Sequence, residues 1–472
     1  MKKVTSMLLV LVMVLSLLTA CGEQTEPTEA QGKTEAPTSA QSGETAAPTE
    51  QAGKAPEDYK GTLRVWSVWA EDDGATLWID KFHEIYPNIE LEFHKFSNNG
   101  DGNLALDTAL TAGEVDVLMN FGIARVDARA QAGLLYDLTD FLAADGLDSV
   151  ENWGLEDNIG GKIVAIPMGG NNDHIIINKD MWDAAGLGEV PTSWTLDEYY
   201  EAARKMTKTA ADGMVEVYGC SNFHSIYYAA LLARGYLGDN YYFNEDGTAS
   251  TDQQVWKDAF EPNYNAEMVE KIQYPLIKYR DDGIQAYAPF YEGKVAMSSM
   301  TNAMTRRIAN TDEYQFDFDI TYAPIPTLYK DQETNYCEGI YYFTHLSIAQ
   351  DCPDPELAWQ FVKWFSTDGS VYFSNTGHMP TWKSVDRSAI VSVLFGSEEE
   401  AEKLIDVEAY KRVVLNYDAP TYVEYNTTAS SKLGGTLNSW IMEMMRGNIS
   451  IEDGFAEMKK EMDQEIAEAL AQ

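Results

Sequence analysis

The chain has 472 residues and a formal net charge of −41, from 34 Lys and Arg against 75 Asp and Glu. A surface that acidic repels phosphate backbones and anionic headgroups, which argues against nucleic acid as a partner. The four cysteines show no CxxC and no dense spacing, so stability rests on a packed core.

The N-terminus has the layout of an export signal. Lys2 and Lys3 precede an apolar run over 7–18, broken only by Ser16. That run falls short of the roughly 20 residues a bilayer span needs and reads as a signal-peptide core. Leu18-Thr19-Ala20-Cys21 followed by Gly22 resembles a bacterial lipobox. It implies cleavage of 1–20, lipidation of Cys21 (palmitate among the acyl groups), and tethering to the outer face of the cytoplasmic membrane. The alternative is an ordinary secretory signal with a chance cysteine. Residues 22–58 contain no aromatic residue and no Leu, Ile or Val, with a loose repeat around Pro27, Pro37 and Pro48. Such a segment cannot offset its chain entropy by burial, so 21–58 is expected to be a disordered linker. Its typical reach, on the order of 30–35 Å, suits a Gram-positive cell surface.

The remaining 414 residues, from Tyr59, carry all eleven tryptophans. Residues 63–69 (LRVWSVW) form a predicted strand. Asp73-Gly74 marks a turn, and Leu77, Trp78, Phe82 and Ile85 recur at helical spacing until Pro87. Ile89, Leu91 and Phe93 alternate as a second strand; 104–111 reads as a helix and 115–119 as a third strand. This alternation predicts a parallel sheet with helices on both faces. Ligands of such sheets sit beyond the strands' carboxyl ends, here Trp69 to Asp72 and Asn120-Phe121. Cys220, Cys337 and Cys352 are either unpaired core residues or include one disulfide, Cys337–Cys352.

The middle of the chain carries a wider likeness. Residues 160–187 (GGKIVAIPMGGNNDHIIINKDMWDAAGL), followed by 191–208 (PTSWTLDEYYEAARKMTK), resemble family 1 solute-binding proteins of ABC importers. Further stretches match in the same order: 86–91, 132–138, 292–297, 317–326 and 355–361. The resemblance covers the chain from about residue 59 onward. It implies an α/β fold of two Rossmann-like lobes joined by a hinge, the type II periplasmic-binding-protein arrangement, with a ligand in the interlobe cleft. Lobe I is expected to comprise 59–167 and 330–378, and lobe II 168–329 and 379–472. The implied role is that of a monomeric receptor, not an enzyme, that binds a carbohydrate and delivers it to the transmembrane subunits of an ABC permease. No cofactor is implied.

Candidate ligand contacts follow from position. Trp69 ends the first strand, where its ring could stack on a sugar or pack in the core; Glu71 follows in the loop, and Asn120 ends the third strand. Asn171 falls at a pocket position that is glutamate in maltose-binding relatives, and Asp173 shares its segment. His224 matches a pocket segment of the second lobe. Asn302 follows the GKVAM strand, where Ala303 replaces a stacking tryptophan common in relatives; Trp382 could replace that wall, and Glu338 could reach the cleft. For Glu71 and His224 the competing reading is a surface or packing residue.

Competing chemistry has little support. HExxH, GxSxG, GxGxxG and a Walker A loop are all missing, and the six histidines have no metal-ligand spacing. A glycosidase would need two carboxylates about 5–10 Å apart in a cleft, which sequence does not locate. Two alternatives stay within the same fold: a receptor for a cationic solute such as a polyamine, and a lipoprotein that presents its ligand to a sensor. Tyrosine and tryptophan suit both sugar stacking and cation–π contact.

Overall fold

The computed structural model describes residues 54–69, 74–154, 161–222, 225–310, 315–422 and 427–470. Among these residues, eleven strands form two sheets: β1 (Gly61–Ser67), β2 (Ile89–Lys95), β3 (Val117–Phe121), β4 (Ile166–Asn171), β5 (Asp173–Asn178), β6 (Lys208–Thr209), β7 (Val215–Asn222), β8 (Val295–Thr301), β9 (Ile320–Pro324), β10 (Tyr341–Ile348) and β11 (Met379–Pro380). The first sheet has the order β11-β4-β10-β3-β1-β2 and the second β6-β7-β8-β5-β9. The expected β-α-β start is present, with helices Ala75–His83 and Gly100–Thr111 between the first three strands.

The expected parallel order holds for the first three strands, and the sheets become mixed beyond them. β1 runs parallel to β2 and β3, but β10 is antiparallel to both β3 and β4. In the second sheet only β7 and β8 are parallel, and β5 is antiparallel to both its neighbours. Apart from the short β6–β7 hairpin, antiparallel pairing arises where strands cross between the sheets or return, a long-range feature that local periodicity does not encode.

Local chemistry explains several boundaries. Thr195 and Glu198 form a reciprocal capping box at the start of Leu196–Met206. Asn178 ends β5 and accepts the Met181 N–H, turning the strand into helix Lys179–Ala184. Asp354 caps Pro355–Ser366, where Pro at the first position needs no hydrogen-bond acceptor.

Each sheet has its own aromatic-rich core. Trp78, Phe82, Trp359 and Phe361 pack on the first. Tyr199, Trp256, Phe260 and the C-terminal Leu437, Phe455 and Met458 pack with the second. Cys220, Cys337 and Cys352 are buried and unpaired, so no Cys337–Cys352 disulfide forms.

The chain passes directly from one sheet to the other at Asn172, between β4 and β5. It returns between β9 and β10, and leaves again after β11. The boundary expected at 167/168 therefore falls inside β4, and the one at 378/379 lies just ahead of β11, which still pairs with β4.

Candidate functional site

The crossing strands start a cavity with both polar and apolar walls. Asp173 opens β5 opposite Thr301 of β8, while Tyr341 opens β10 opposite Asn171 of β4. Residues from both sheets thus meet where the backbone changes sheet. Helix Ser225–Leu237 adds Arg234, the one charged residue in an otherwise largely apolar segment. The cavity between them has a volume of about 180 Å³ and is lined by Asp173, Tyr228, Arg234, Tyr241, Thr301 and Tyr341, among others.

Arg234 organises this cavity. One arm of its guanidinium donates to Asp173 Oδ2 at 2.8 Å and the other to Tyr422 Oη at 2.9 Å. Its central carbon lies 4.2 Å from the Tyr422 ring centroid, 5.4 Å from Tyr341 and 6.0 Å from Tyr241. Burial raises the Asp173 carboxyl above its ordinary value, and the neighbouring Arg234 opposes that rise. The pair presents fixed donors and acceptors beside aromatic faces, a combination that recognises a polar ligand with an apolar side.

A smaller depression of about 90 Å³ lies on the other side of Asp173, with Thr192, Glu338, Arg412 and Asn416 in its wall. Burial also raises the Glu338 carboxyl, against a hydrogen bond from Asn335.

The sequence-based candidates divide accordingly. Asp173 lines both cavities and Glu338 the smaller one. Asn171 is buried beside Tyr341. Trp69 is instead packed inside the first lobe, its ring 5.0 Å from Phe373, 5.3 Å from His378 and 5.4 Å from Phe121. Asn120 is fully buried, donating to Ser347 Oγ at 3.0 Å and accepting from Arg129 at 2.7 Å. Asn302 is fully buried too, and its amide is engaged by backbone. Trp382 lies half-buried against Trp153, with ring centroids 5.0 Å apart. Glu71, Asp72, His224, Cys21 and residues 22–53 of the linker lie outside the described residues. The last residues expected to be disordered are ordered instead: Pro56–Asp58 form a short 3-10 helix, and the Asn88 side-chain amide donates to Glu57 O at 2.7 Å.

Sequence reasoning missed Arg234, Tyr241 and Tyr341. A signal was present for the first: a lone arginine in an apolar helical run needs a buried partner. Tyr341 had no such mark, because its importance comes from strand pairing with Asn171.

The family model for bacterial extracellular solute-binding proteins matches residues 67–372. A maltotriose-binding protein from Pyrococcus abyssi is 24% identical over 293 residues, 62% of this chain; the match spans 59% of that relative's length. Among solved structures, a sugar transporter from Rhizobium etli in an open conformation aligns with a TM-score of 0.67 at 19% identity, over 85% of this chain and 99% of its own. An ABC substrate-binding protein from Listeria monocytogenes in complex with cycloalternan gives 0.66 at 16% identity, over 87% and 100%. UgpB from Mycobacterium tuberculosis in complex with glycerophosphocholine gives 0.66 at 16%, over 88% and 100%. These likenesses and the two sheets identify the two-lobed α/β fold of type II periplasmic binding proteins. With the family model matching well over half of it, the chain belongs to the bacterial extracellular solute-binding protein family.

Proposed function

We propose that the protein is a lipid-anchored receptor that captures a carbohydrate between its lobes and hands it to an ABC permease. The observation that carries this reading is the cavity at the β4–β5 crossing, where Arg234 and Asp173 stand among tyrosines. A pyranose offers an apolar face to a ring and hydroxyls to a charged fork, and hydrogen bonds to charged groups contribute about 1.5–3 kcal/mol each. Because Tyr341 comes from the first sheet and Asp173 and Thr301 from the second, a solute touching all three binds the closed form better than the open one. That difference in contact energy is what drives closure.

The lobes we take to be the two sheets with their packed helices, divided at Asn172, between β9 and β10, and after β11. Anchoring through Cys21, at the outer face of the membrane, would leave the 22–53 segment as a spacer. The relative named for maltotriose and the structure holding cycloalternan support an oligosaccharide as the first class to test. The reading involves capture and release without bond chemistry, by a monomer.

Calorimetric titration of the 59–472 core with saccharides of one to three units tests it. Micromolar or tighter heat from one saccharide is the expected result. Silence toward all of them, with heat from another solute class, would remove the carbohydrate assignment. For the anchor, acyl labelling should depend on Cys21 and vanish in Cys21→Ala; labelling that persists would refute it.

A further inference from the structure

The arrangement around Arg234 is that of a cation-binding seat already filled from within. Three tyrosine rings, Tyr241, Tyr341 and Tyr422, surround its guanidinium carbon at 4.2 to 6.0 Å. A carboxylate, Asp173, completes the enclosure at 2.8 Å. Aromatic faces with one acid are the chemistry that recognises guanidinium and quaternary ammonium ligands. Here the chain supplies the cation itself. We propose that Arg234 is the specificity-determining residue of this cavity: by occupying its aromatic and carboxylate seat, it bars cationic solutes and leaves the remaining space to solutes without positive charge. This inference rests on the reading of the cavity as the solute site.

Charge makes such a device necessary. With a formal net charge of −41, the protein's long-range field enriches cations around it and depletes anions. A neutral solute gains nothing from that field, so the cavity must reject cations locally. Among the described residues, Asp173 is the sole acidic residue in the wall of the larger cavity and Arg234 its sole basic one. These two opposite charges pair with each other within the cavity. An incoming cation would have to displace an arginine held by two hydrogen bonds on a helix, or sit beside it without a counter-ion. Specificity achieved by blocking the wrong partner is as effective as added contacts to the right one.

The test compares the wild type with Arg234→Ala, titrating both with ethylguanidinium, tetramethylammonium and a saccharide series, and reading heat and thermal shift. The wild type should give no signal with either cation. Arg234→Ala should gain ethylguanidinium binding of about tenfold or more over the wild type, because the vacated rings and Asp173 recover a partner. Adding Asp173→Asn to that variant should abolish the gain. A wild type that binds either cation in this cavity, or a folded Arg234→Ala without any gain, would overturn the assignment. Arg234→Ser serves the same comparison should the alanine variant not fold. If neither folds, the wild type decides alone, heat from ethylguanidinium refuting the assignment and silence supporting it. A cation gain with no saccharide binding by the wild type supports the seat and removes the carbohydrate reading. Saccharide binding with no cation gain does the reverse.

Discussion

Asn302 accepts the backbone N–H of Asn172 at 2.8 Å, tying the residue just past β8 to the residue at which the chain changes sheet. Its amide nitrogen donates to Gly377 O at 2.6 Å, so one side chain ties the crossing at Asn172 to the turn just ahead of β11. Asn302→Ala leaves the buried Asn172 N–H without that acceptor. The expected loss is about 1–3 kcal/mol of stability. Denaturant titration gives the magnitude, and hydrogen exchange at Asn172 should quicken; an unchanged midpoint would refute the tie.

Gly377 closes against the same place. Its φ of +85° belongs to the left-handed region, and a Cβ there would lie 2.8 Å from the carbonyl oxygens of both Asn302 and Ala303. Gly377→Ala should therefore destabilise by more than about 1 kcal/mol, since strain and clash add. A urea midpoint equal to that of the wild type would show that the backbone relaxes freely at this position.

Trp69 and Tyr341 should respond in opposite ways. Trp69 is packed among Trp78, Phe121, Phe373 and His378, so Trp69→Ala should cost about 3–5 kcal/mol of stability. Its effect on solute affinity at a temperature where the variant is folded should be small. Tyr341→Ala removes a cavity wall and should weaken solute binding by about tenfold, an amount typical of one lost aromatic contact. Affinity falling more in Trp69→Ala than in Tyr341→Ala would move the solute site to the end of the first strand.

Glu267 carries a pH signature. Burial pushes its carboxyl up to about 7, although Leu276 N and Gln273 Nε2 donate to it at 2.7 and 3.0 Å. The folded chain thus binds this proton more tightly than the unfolded chain does. The corresponding stability is complete below the ordinary value of 4.5 and disappears as pH rises through about 7. Glu267→Gln retains an oxygen for the Leu276 N–H and cannot titrate. Comparing unfolding free energies from pH 4.5 to 8, the wild type should lose up to ~1.4 kcal/mol per pH unit relative to the variant within that window. Parallel pH profiles would contradict this.

Local pattern and long-range pairing explain what was legible beforehand. Ile89, Leu91 and Phe93 alternate because one face of β2 is turned to the core, and that alternation is written in adjacent residues. The Thr195–Glu198 box likewise needs only four positions. The direction of β10 is different: it depends on strands more than a hundred residues earlier, and nothing within 341–348 records it. The Asp173–Arg234 pair joins residues 61 positions apart through the fold. Asp173 could be placed on the cavity segment from its neighbours, but its partner could not. Trp69 sat at the anticipated strand end, yet which way a ring turns is settled by Phe373 and His378, which arrive from the far side of the chain.

The position of β10 also sets an order of assembly. It lies between β3 and β4 in the first sheet, so the four strands made earliest cannot join into one sheet until Tyr341–Ile348 has been supplied. Every strand of the second sheet lies within Asp173–Pro324, an uninterrupted stretch. A chain emerging from its N-terminus would thus complete the later-encoded sheet first. The N-terminal strands would wait with unpaired edges, at risk of aggregation, through the synthesis or export of the whole middle of the protein.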